Sequence, residues 1–192
     1  IVCTQTNTRR TATLTLRKTW ANGATGETAT VTSTGLTNNA SSGLSTSTGN
    51  NTTTGTSVPV VAGEAGTISE TLTNAGNYNA TLACTGTAGL AGNALTIGAA
   101  DTAIVCTFTN SRTSLTLVKT VTNDNGGTAT AAAFTLTATG PSTIIGISGA
   151  PAVTNAAVAP GTYTLSETAL TGYAAGAWSC SAGTLTGNSL VL

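Results

Sequence analysis

One junction sequence occurs twice in the chain, and this repeat limits the folds open to it. The segment CTQTNTR at 3–9 returns as CTFTNSR at 106–112, and each copy leads into a similar run, TATLTLRKTW at 11–20 and TSLTLVKTV at 113–121. The two copies lie 103 residues apart (106 − 3). Because a period of about 100 residues is the size of one small domain, the sequence predicts two tandem domains.

The repeat also predicts that one strand is displaced. The segment NALTI at 93–97 matches NSLVL at 188–192, where the second copy stops. In the first copy a further strand follows, IVCTFTN at 104–110, and its counterpart IVCTQTN stands instead at 1–7 with no domain before it. The orphan strand and the incomplete domain are therefore complementary.

We expect an all-β fold with three parts. Leu14 and Leu16 alternate with threonines, as do Phe134 and Leu136, which is the period of a half-buried strand, and no segment has the pattern of an amphipathic helix. Turn-rich sequence, such as NDNGG at 123–127, separates the runs. The predicted parts are a donor strand at 1–10, a first β-sandwich at 11–112 and a second, incomplete β-sandwich at 113–192, with 36–56 as loops or loosely paired edge strands.

Composition excludes several functions. With 6% charged residues and zero net charge, the chain has no basic surface for nucleic acid, and no apolar run reaches the roughly 18 residues of a membrane span. It contains no His, no CxxC motif, no GxSxG motif and no P-loop. We therefore expect no metal, no cofactor and no turnover of external substrates. The absence of an initial Met and of a basic-then-apolar leader fits a secreted protein or a fragment.

Both lysines occupy the same register of the same repeated strand. Lys18 and Lys119 fall on the apolar face of that strand, where a lysine is uncommon. Glu70 and Glu167 lie on the apolar faces of matching strands, and Asn110 lies on that of the last strand of the first domain. The alternation therefore aims a lysine, a glutamate and an asparagine at one core.

Burial gives these groups a possible reaction. Desolvation lowers the pKa of a lysine and raises that of a carboxyl group, so a neutral amine becomes accessible. The amine can then attack the asparagine carbonyl while the glutamate moves protons, releasing ammonia and leaving an amide. Two simpler interpretations remain open, a buried lysine–glutamate ion pair and a lysine that reaches the surface.

Three segments carry a family resemblance. LTLVK at 115–119, GTYTLSETALTGY at 161–173 and the strand CTFTN at 106–110 resemble the Cna B-type, or SpaA-like, domains of bacterial surface proteins and pili, whose sandwiches are transthyretin-like and immunoglobulin-like. The resemblance covers nearly the whole chain. It implies an isopeptide bond between Lys18 and Asn110, assisted by Glu70, although AGTISETLTNAGNY around Glu70 departs from the motif.

For the second domain the resemblance supplies Lys119 and Glu167 but no asparagine on a strand of its own. We expect Asn7 of a neighbouring copy to fill that place. The glutamates would act once, in autocatalytic crosslinking, so the chain is not an enzyme in the usual sense.

The four cysteines indicate an oxidising compartment. Cys84 and Cys106 are the only two in the first domain, so we expect them to pair. Cys180 is the counterpart of Cys84 and Cys3 that of Cys106, which predicts a Cys180–Cys3 bond between neighbouring copies. Free thiols are the alternative.

These features predict a structural subunit of an extracellular bacterial filament or pilus, joined head-to-tail to identical subunits by strand donation. Two alternatives stay open. The chain could be a stalk repeat of a giant single-chain adhesin, or an adhesin module that binds a host or surface glycan. A glycan site would need an exposed ring such as Trp20 or Trp178, and both are expected to pack in cores.

Overall fold

The computed structural model describes every residue from Ile1 to Leu192. Its residues form two units, Ile1–Ala75 with Ala80–Ser111 (unit 1) and Gly76–Asn79 with Arg112–Leu192 (unit 2). The only helical elements are three single 3-10 turns, Ala75–Asn77, Ala131–Ala133 and Pro151–Val153. No helix has the length and apolar character needed to cross a bilayer. The all-β fold predicted from the alternating pattern is confirmed.

Unit 1 is a sandwich of two five-stranded sheets. One sheet has the order β4-β1-β10-β7, with β5 also pairing with β1, and the other has the order β3-β2-β6-β9-β8. The strands are β1 Thr11–Ala21, β2 Thr28–Thr34, β3 Ser45–Thr46, β4 Asn51–Thr54, β5 Val58–Val61, β6 Ala65–Leu72, β7 Asn79–Thr85, β8 Leu90–Ala91, β9 Ala94–Thr96 and β10 Ala103–Ser111.

The first and last strands of unit 1 lie side by side and run parallel. Their register pairs Thr13 with Ala103 at one end and Ala21 with Ser111 at the other, over nine positions. On both strands alternate side chains are buried, and Leu14, Leu16 and Ile104 are among those that form the core with residues of the facing sheet. Each such leucine stabilises the fold by about 1.5–3 kcal/mol relative to an exposed one.

The segment 36–56, predicted to be loops or weak edge strands, forms the short strands β3 and β4 but is more ordered than expected. It buries three serines, and the indole Nε1 of Trp20 donates to Ser45 Oγ at 2.9 Å while Thr53 Oγ1 donates to the same oxygen at 2.8 Å. Because buried hydroxyl groups are hydrogen-bonded, these serines fix the loop to the core. Trp20 is 1% exposed, so its expected core position is correct.

Unit 2 repeats the architecture with fewer strands. A two-stranded sheet pairs β11 with β14, and a five-stranded sheet has the order β13-β12-β15-β17-β16. The strands are β11 Thr113–Leu115, β12 Thr135–Thr139, β13 Ile144–Ile147, β14 Ala156–Val158, β15 Thr162–Glu167, β16 Thr184–Thr186 and β17 Ser189–Val191. Leu136, Tyr163, Leu165 and Leu190 are fully buried between them.

The first strand of unit 2 is much shorter than predicted. The sequence predicts a strand over 113–121, yet only β11 is hydrogen-bonded as one, and 116–122 has no strand partner. In unit 1 the matching residues pair with β10 and with β4. In 116–122 the one backbone hydrogen bond to another segment runs from Leu117 N–H to the Val153 carbonyl, at 2.9 Å, so the segment forms no ladder.

Candidate functional site

Three strands bring Lys18, Glu70 and Asn110 together in unit 1. Lys18 and Asn110 point inward from the parallel neighbours β1 and β10, and Glu70 faces them from β6 of the opposite sheet. Glu70 Oε1 lies 3.1 Å from Lys18 Nζ. Asn110 Nδ2 donates to Glu70 Oε1 at 3.1 Å and to Oε2 at 3.0 Å. One carboxylate oxygen therefore contacts both the amine and the amide nitrogen.

The lysine of this group is removed from water. Lys18 and Asn110 are 0% exposed and the Glu70 side chain is 6% exposed. Burial lowers the pKa of Lys18 below its usual value, and the negative charge of Glu70 opposes that shift only in part. The lysine Nζ also donates to the Thr19 carbonyl at 3.0 Å and lies 4.2 Å from the centroid of the Trp20 ring.

Asn110 also carries an unsatisfied atom. Its carbonyl oxygen Oδ1 is buried and accepts no hydrogen bond from the protein. A buried acceptor without a donor costs about 1–3 kcal/mol. The amide nitrogen of Asn110 is thus held by the Glu70 carboxylate, which also contacts Lys18, while the amide carbonyl oxygen is buried without a donor.

The matching pair in unit 2 has no side-chain amide hydrogen-bonded to it. Lys119 Nζ donates to Glu167 Oε2 at 2.6 Å, with the two side chains 15% and 14% exposed, and the lysine lies 4.4 Å from the centroid of the Phe134 ring. No side-chain amide hydrogen-bonds to either partner. This site is more open to water than the site of unit 1.

An open groove runs along residues 113–120 of unit 2, at the place that corresponds to β10 of unit 1. One stretch, of about 760 Å³, is lined by Leu117, Leu165, Trp178, Cys180 and Leu190, among others. A second stretch, of about 470 Å³, continues past Trp178 to Lys119, Ser166, Glu167 and Asn188. The groove thus joins an apolar section that exposes a cysteine to a polar section that contains the lysine–glutamate pair.

The segment that matches β10 lies outside any sheet. Ile1 to Arg10 has no strand partner and every residue in it is exposed, including the apolar side chains of Ile1 and Val2. At the end of this segment, Arg9 Nε donates to the Ala62 carbonyl at 2.8 Å and the Arg10 carbonyl accepts from Ala62 N–H at 2.9 Å, which ties the segment's end to the rest of unit 1. An apolar strand-forming sequence without a sheet is available for pairing elsewhere.

Comparison with known proteins agrees with this two-unit arrangement. A family model described as the prealbumin-like fold domain, of SpaA type, matches residues 9–108 and 110–192. The chain belongs to this family. The resemblance drawn from the lysine and glutamate strands is thereby confirmed, and both units are prealbumin-like domains.

Among solved structures, the chain is similar to the pilus adhesin SpaC from Lactobacillus rhamnosus GG, with 13% sequence identity and a TM-score of 0.44. The match covers 84% of this chain and 20% of that one. A search of well-characterised protein sequences found no match.

The cysteines of the two prealbumin-like domains differ in state. Cys84 and Cys106 form a disulfide with a Cα–Cα distance of 4.0 Å, the pairing expected from the sequence. Cys3 and Cys180 are free and exposed. No cluster of three or more His, Cys, Asp or Glu side chains is placed to hold a metal ion.

Sequence reasoning missed the aromatic rings that pack on the two lysines. Trp20 lies two residues after Lys18 on the same face of β1, which is a signal the alternation could have supplied. Phe134 comes from a distant part of unit 2 and gave no such signal. Trp178, expected in a core, is only half-buried and lines the groove.

Proposed function

We propose that the chain is a structural subunit of an extracellular bacterial filament or pilus, in which Ile1–Thr8 of one copy completes the second prealbumin-like domain of the next. The observation that carries the proposal is the open groove of unit 2. The groove runs along the first strand of unit 2, and the counterpart of that strand in unit 1, β1, pairs with β10 over nine positions. Identical subunits are thus the partners of the chain.

The register of unit 1 says where each donor residue would lie. In unit 1, Leu16 is level with Cys106 and Trp20 with Asn110. The first strands of the two units are 101 residues apart (119 − 18), and the donor strand is 103 residues from β10 (106 − 3). With these two offsets, Cys3 comes level with Leu117, in the section of groove that exposes Cys180. Asn7 comes level with Val121, which is two residues beyond Lys119. In unit 1, Asn110 is likewise level with Trp20, two residues beyond Lys18.

A donor strand in the groove would also stabilise unit 2. Apart from Leu117 N–H, which donates to the Val153 carbonyl at 2.9 Å, the backbone of 116–122 has no sheet partner. An added strand would supply backbone hydrogen bonds there and cover the half-buried side chains of Leu115, Trp178 and Leu192. The contact joins different surfaces of the two copies, so repeating it without closure gives a fibre. The short charge-poor donor needs no counterion and carries its own apolar side chains, Ile1 and Cys3, into the groove.

Two covalent steps would then lock the filament. In the first, Lys119 Nζ attacks Cγ of the neighbour's Asn7. The Nζ–Cγ bond forms, the Cγ–Nδ2 bond breaks, and Glu167 passes the amine proton to the departing nitrogen, which leaves as ammonia. The same step between Lys18 and Asn110, with Glu70, would close unit 1 internally. In the second step, the thiols of Cys3 and Cys180 pass two electrons and two protons to a disulfide-type oxidant outside the cytoplasm.

Deletion of residues 1–8 tests the proposal. The truncated chain keeps all strands of unit 1, so it should stay monomeric with an unstable unit 2, while the full chain forms filaments visible by electron microscopy. Free peptide IVCTQTNT should bind the truncated chain and restore protection of unit 2 in hydrogen exchange, and a scrambled peptide of the same composition should not. Filaments formed by the truncated chain would refute strand donation.

Two further outcomes would favour other functions. A full chain that stays monomeric, with unit 2 completed only when a strand is attached after Leu192, would indicate a repeat within a continuous stalk. Saturable glycan binding by a monomer would indicate an adhesin module. Neither is favoured by a specific contact, since Trp20 is buried and Trp178 faces the groove.

A further inference from the structure

In unit 1 the disulfide fixes how β7 faces β10. Cys84 and Cys106 are directly opposite, with a Cα–Cα distance of 4.0 Å. Two residues later, just after the end of β7, the backbone of Gly86 lies against the carbonyl of Ala103, the first residue of β10. A later residue of one strand therefore faces an earlier residue of the other, which makes the pair antiparallel.

The same register puts Leu82 opposite Phe108. Each lies two residues from its cysteine, on the same face of its strand, and both pack against the core of unit 1. Phe108 is 9% exposed and Leu82 is half-buried. The cross-strand pair beside the disulfide is thus a small aliphatic side chain on β7 and an aromatic ring on β10.

In unit 2 the large aromatic side chain and the smaller side chain of this cross-strand pair have changed places between the groove wall and the inserted strand. Trp178 precedes Cys180 by two residues, as Leu82 precedes Cys84, and Gln5 follows Cys3 by two, as Phe108 follows Cys106. Trp178 packs against the core of unit 2 and lines both sections of the groove. The large ring has moved from the inserted strand to the wall of the groove.

Only one position distinguishes the two strands that compete for these places. IVCTQTN at 1–7 and IVCTFTN at 104–110 are identical except for Gln5 and Phe108. This single difference falls opposite Trp178 in unit 2. The other six residues of the two strands are identical, including the cysteine and the asparagine that would be crosslinked.

We propose that the Trp178–Gln5 pair determines which strand the groove of unit 2 accepts, admitting the donor strand 1–7 and rejecting the near-identical strand 104–110 of another copy. This rests on the strand donation proposed above. A phenylalanine opposite Trp178 would place two large rings where unit 1 holds a ring and a leucine, and overfilled cores are destabilised. The reverse error, strand 1–7 in unit 1, would leave a cavity and bury an amide beside Leu82.

The polarity of the groove also suits glutamine. By the register of β1 and β10, in which Lys18 is level with Phe108, Gln5 is level with Lys119. Ser166, Glu167 and Asn188 line the same section. A glutamine amide supplies both donors and an acceptor to such a section, where the indole N–H of Trp178 is a further donor, whereas a phenyl ring supplies neither a donor nor an acceptor.

Four full-length chains test the inference: wild type, Gln5→Phe, Trp178→Leu and the double variant. The measurements are the rate of Cys3–Cys180 linked species under mild oxidation and the length of filaments by sedimentation. We expect Gln5→Phe to slow linkage by about tenfold or more, as overpacking would. Trp178→Leu should accept the wild-type donor poorly, and the double variant should recover most of the rate. Leu44→Phe, which adds an aromatic ring at an exposed site of unit 1, is the matched control.

The outcomes separate the two proposals. If the wild type forms no linked species, strand donation is wrong and the inference falls with it. If the wild type assembles and Gln5→Phe assembles equally fast, donation stands and the size exchange does not select the strand. A double variant no faster than either single variant would also overturn it. Because Gln5→Phe leaves unit 2 unchanged, its result holds even if Trp178→Leu fails to fold.

Discussion

Replacing Asn110 with alanine distinguishes a crosslinked unit 1 from one that holds only an ion pair. An amide between Lys18 and Asn110 closes a chain segment of 92 residues (110 − 18). The chain-entropy relation for a loop of that length gives about 4–5 kcal/mol of stabilisation, and the substitution removes all of it.

Without the amide, the same substitution has opposing effects. It deletes the hydrogen bonds from Asn110 Nδ2 to Glu70 and also deletes the unsatisfied Oδ1. The first loss and the second gain are each about 1–3 kcal/mol, so the net change is within about 2 kcal/mol. The Lys18–Glu70 pair stays in place in both cases.

The assay combines intact mass with urea unfolding. The crosslinked wild type should be lighter than its sequence by one ammonia for unit 1, and Asn110→Ala should have the full sequence mass and a loss of stability near the larger value. Lys18→Met serves as the matched variant, since it also prevents the bond. A wild-type mass that retains every ammonia, together with a small change on substitution, would refute the crosslink and leave the ion pair.

Three further predictions follow from unit 1. In an Asn110→Ala background, the free energy of unfolding should rise with pH between the lowered pKa of Lys18 and its ordinary value of 10.5. In that window the unfolded chain binds more protons than the folded chain. A flat pH profile, or one that adding Lys18→Met leaves unchanged, would contradict this. Reduction of Cys84–Cys106, or the double alanine variant, should lower the free energy of unfolding by about 3 kcal/mol for a separation of 22 residues, measured by urea unfolding; no change on reduction would show that the bond does not constrain the unfolded chain. Gly55→Ala should destabilise unit 1, since a Cβ there would lie 1.8 Å from a backbone carbonyl oxygen, whereas alanine at the open Gly76 should cost far less; equal melting temperatures for the two variants would contradict the close packing.

The sequence predicted the strands best where apolar and β-branched residues alternate. On β1 and β10 this alternation placed Lys18 and Asn110 on the inner face, and on β6 it placed Glu70 on the face of Ile68 and Leu72. Strand period carries such information because a side chain's face depends only on parity along the strand.

Other features depend on contacts that parity does not encode. The serines near Trp20 are as polar as loop residues, and only their distant partners make them core residues. The segment 116–122 has a good strand sequence but forms no ladder, since pairing depends on a neighbouring strand and not on the alternation of the segment itself. Trp178 is likewise half-buried because it lines the groove, which strand period does not reveal.

The parallel pairing of β1 with β10 has a mechanical consequence. A pull that enters unit 1 at Thr11 and leaves at Ser111 draws the two strands past each other in shear, so the load is shared by the hydrogen bonds of nine register positions instead of breaking them one at a time. A Lys18–Asn110 bond would confine the extension to Thr11–Lys18 and Asn110–Ser111. All the intervening chain would then carry no tension, and the sandwich could transmit force along a fibre without unravelling.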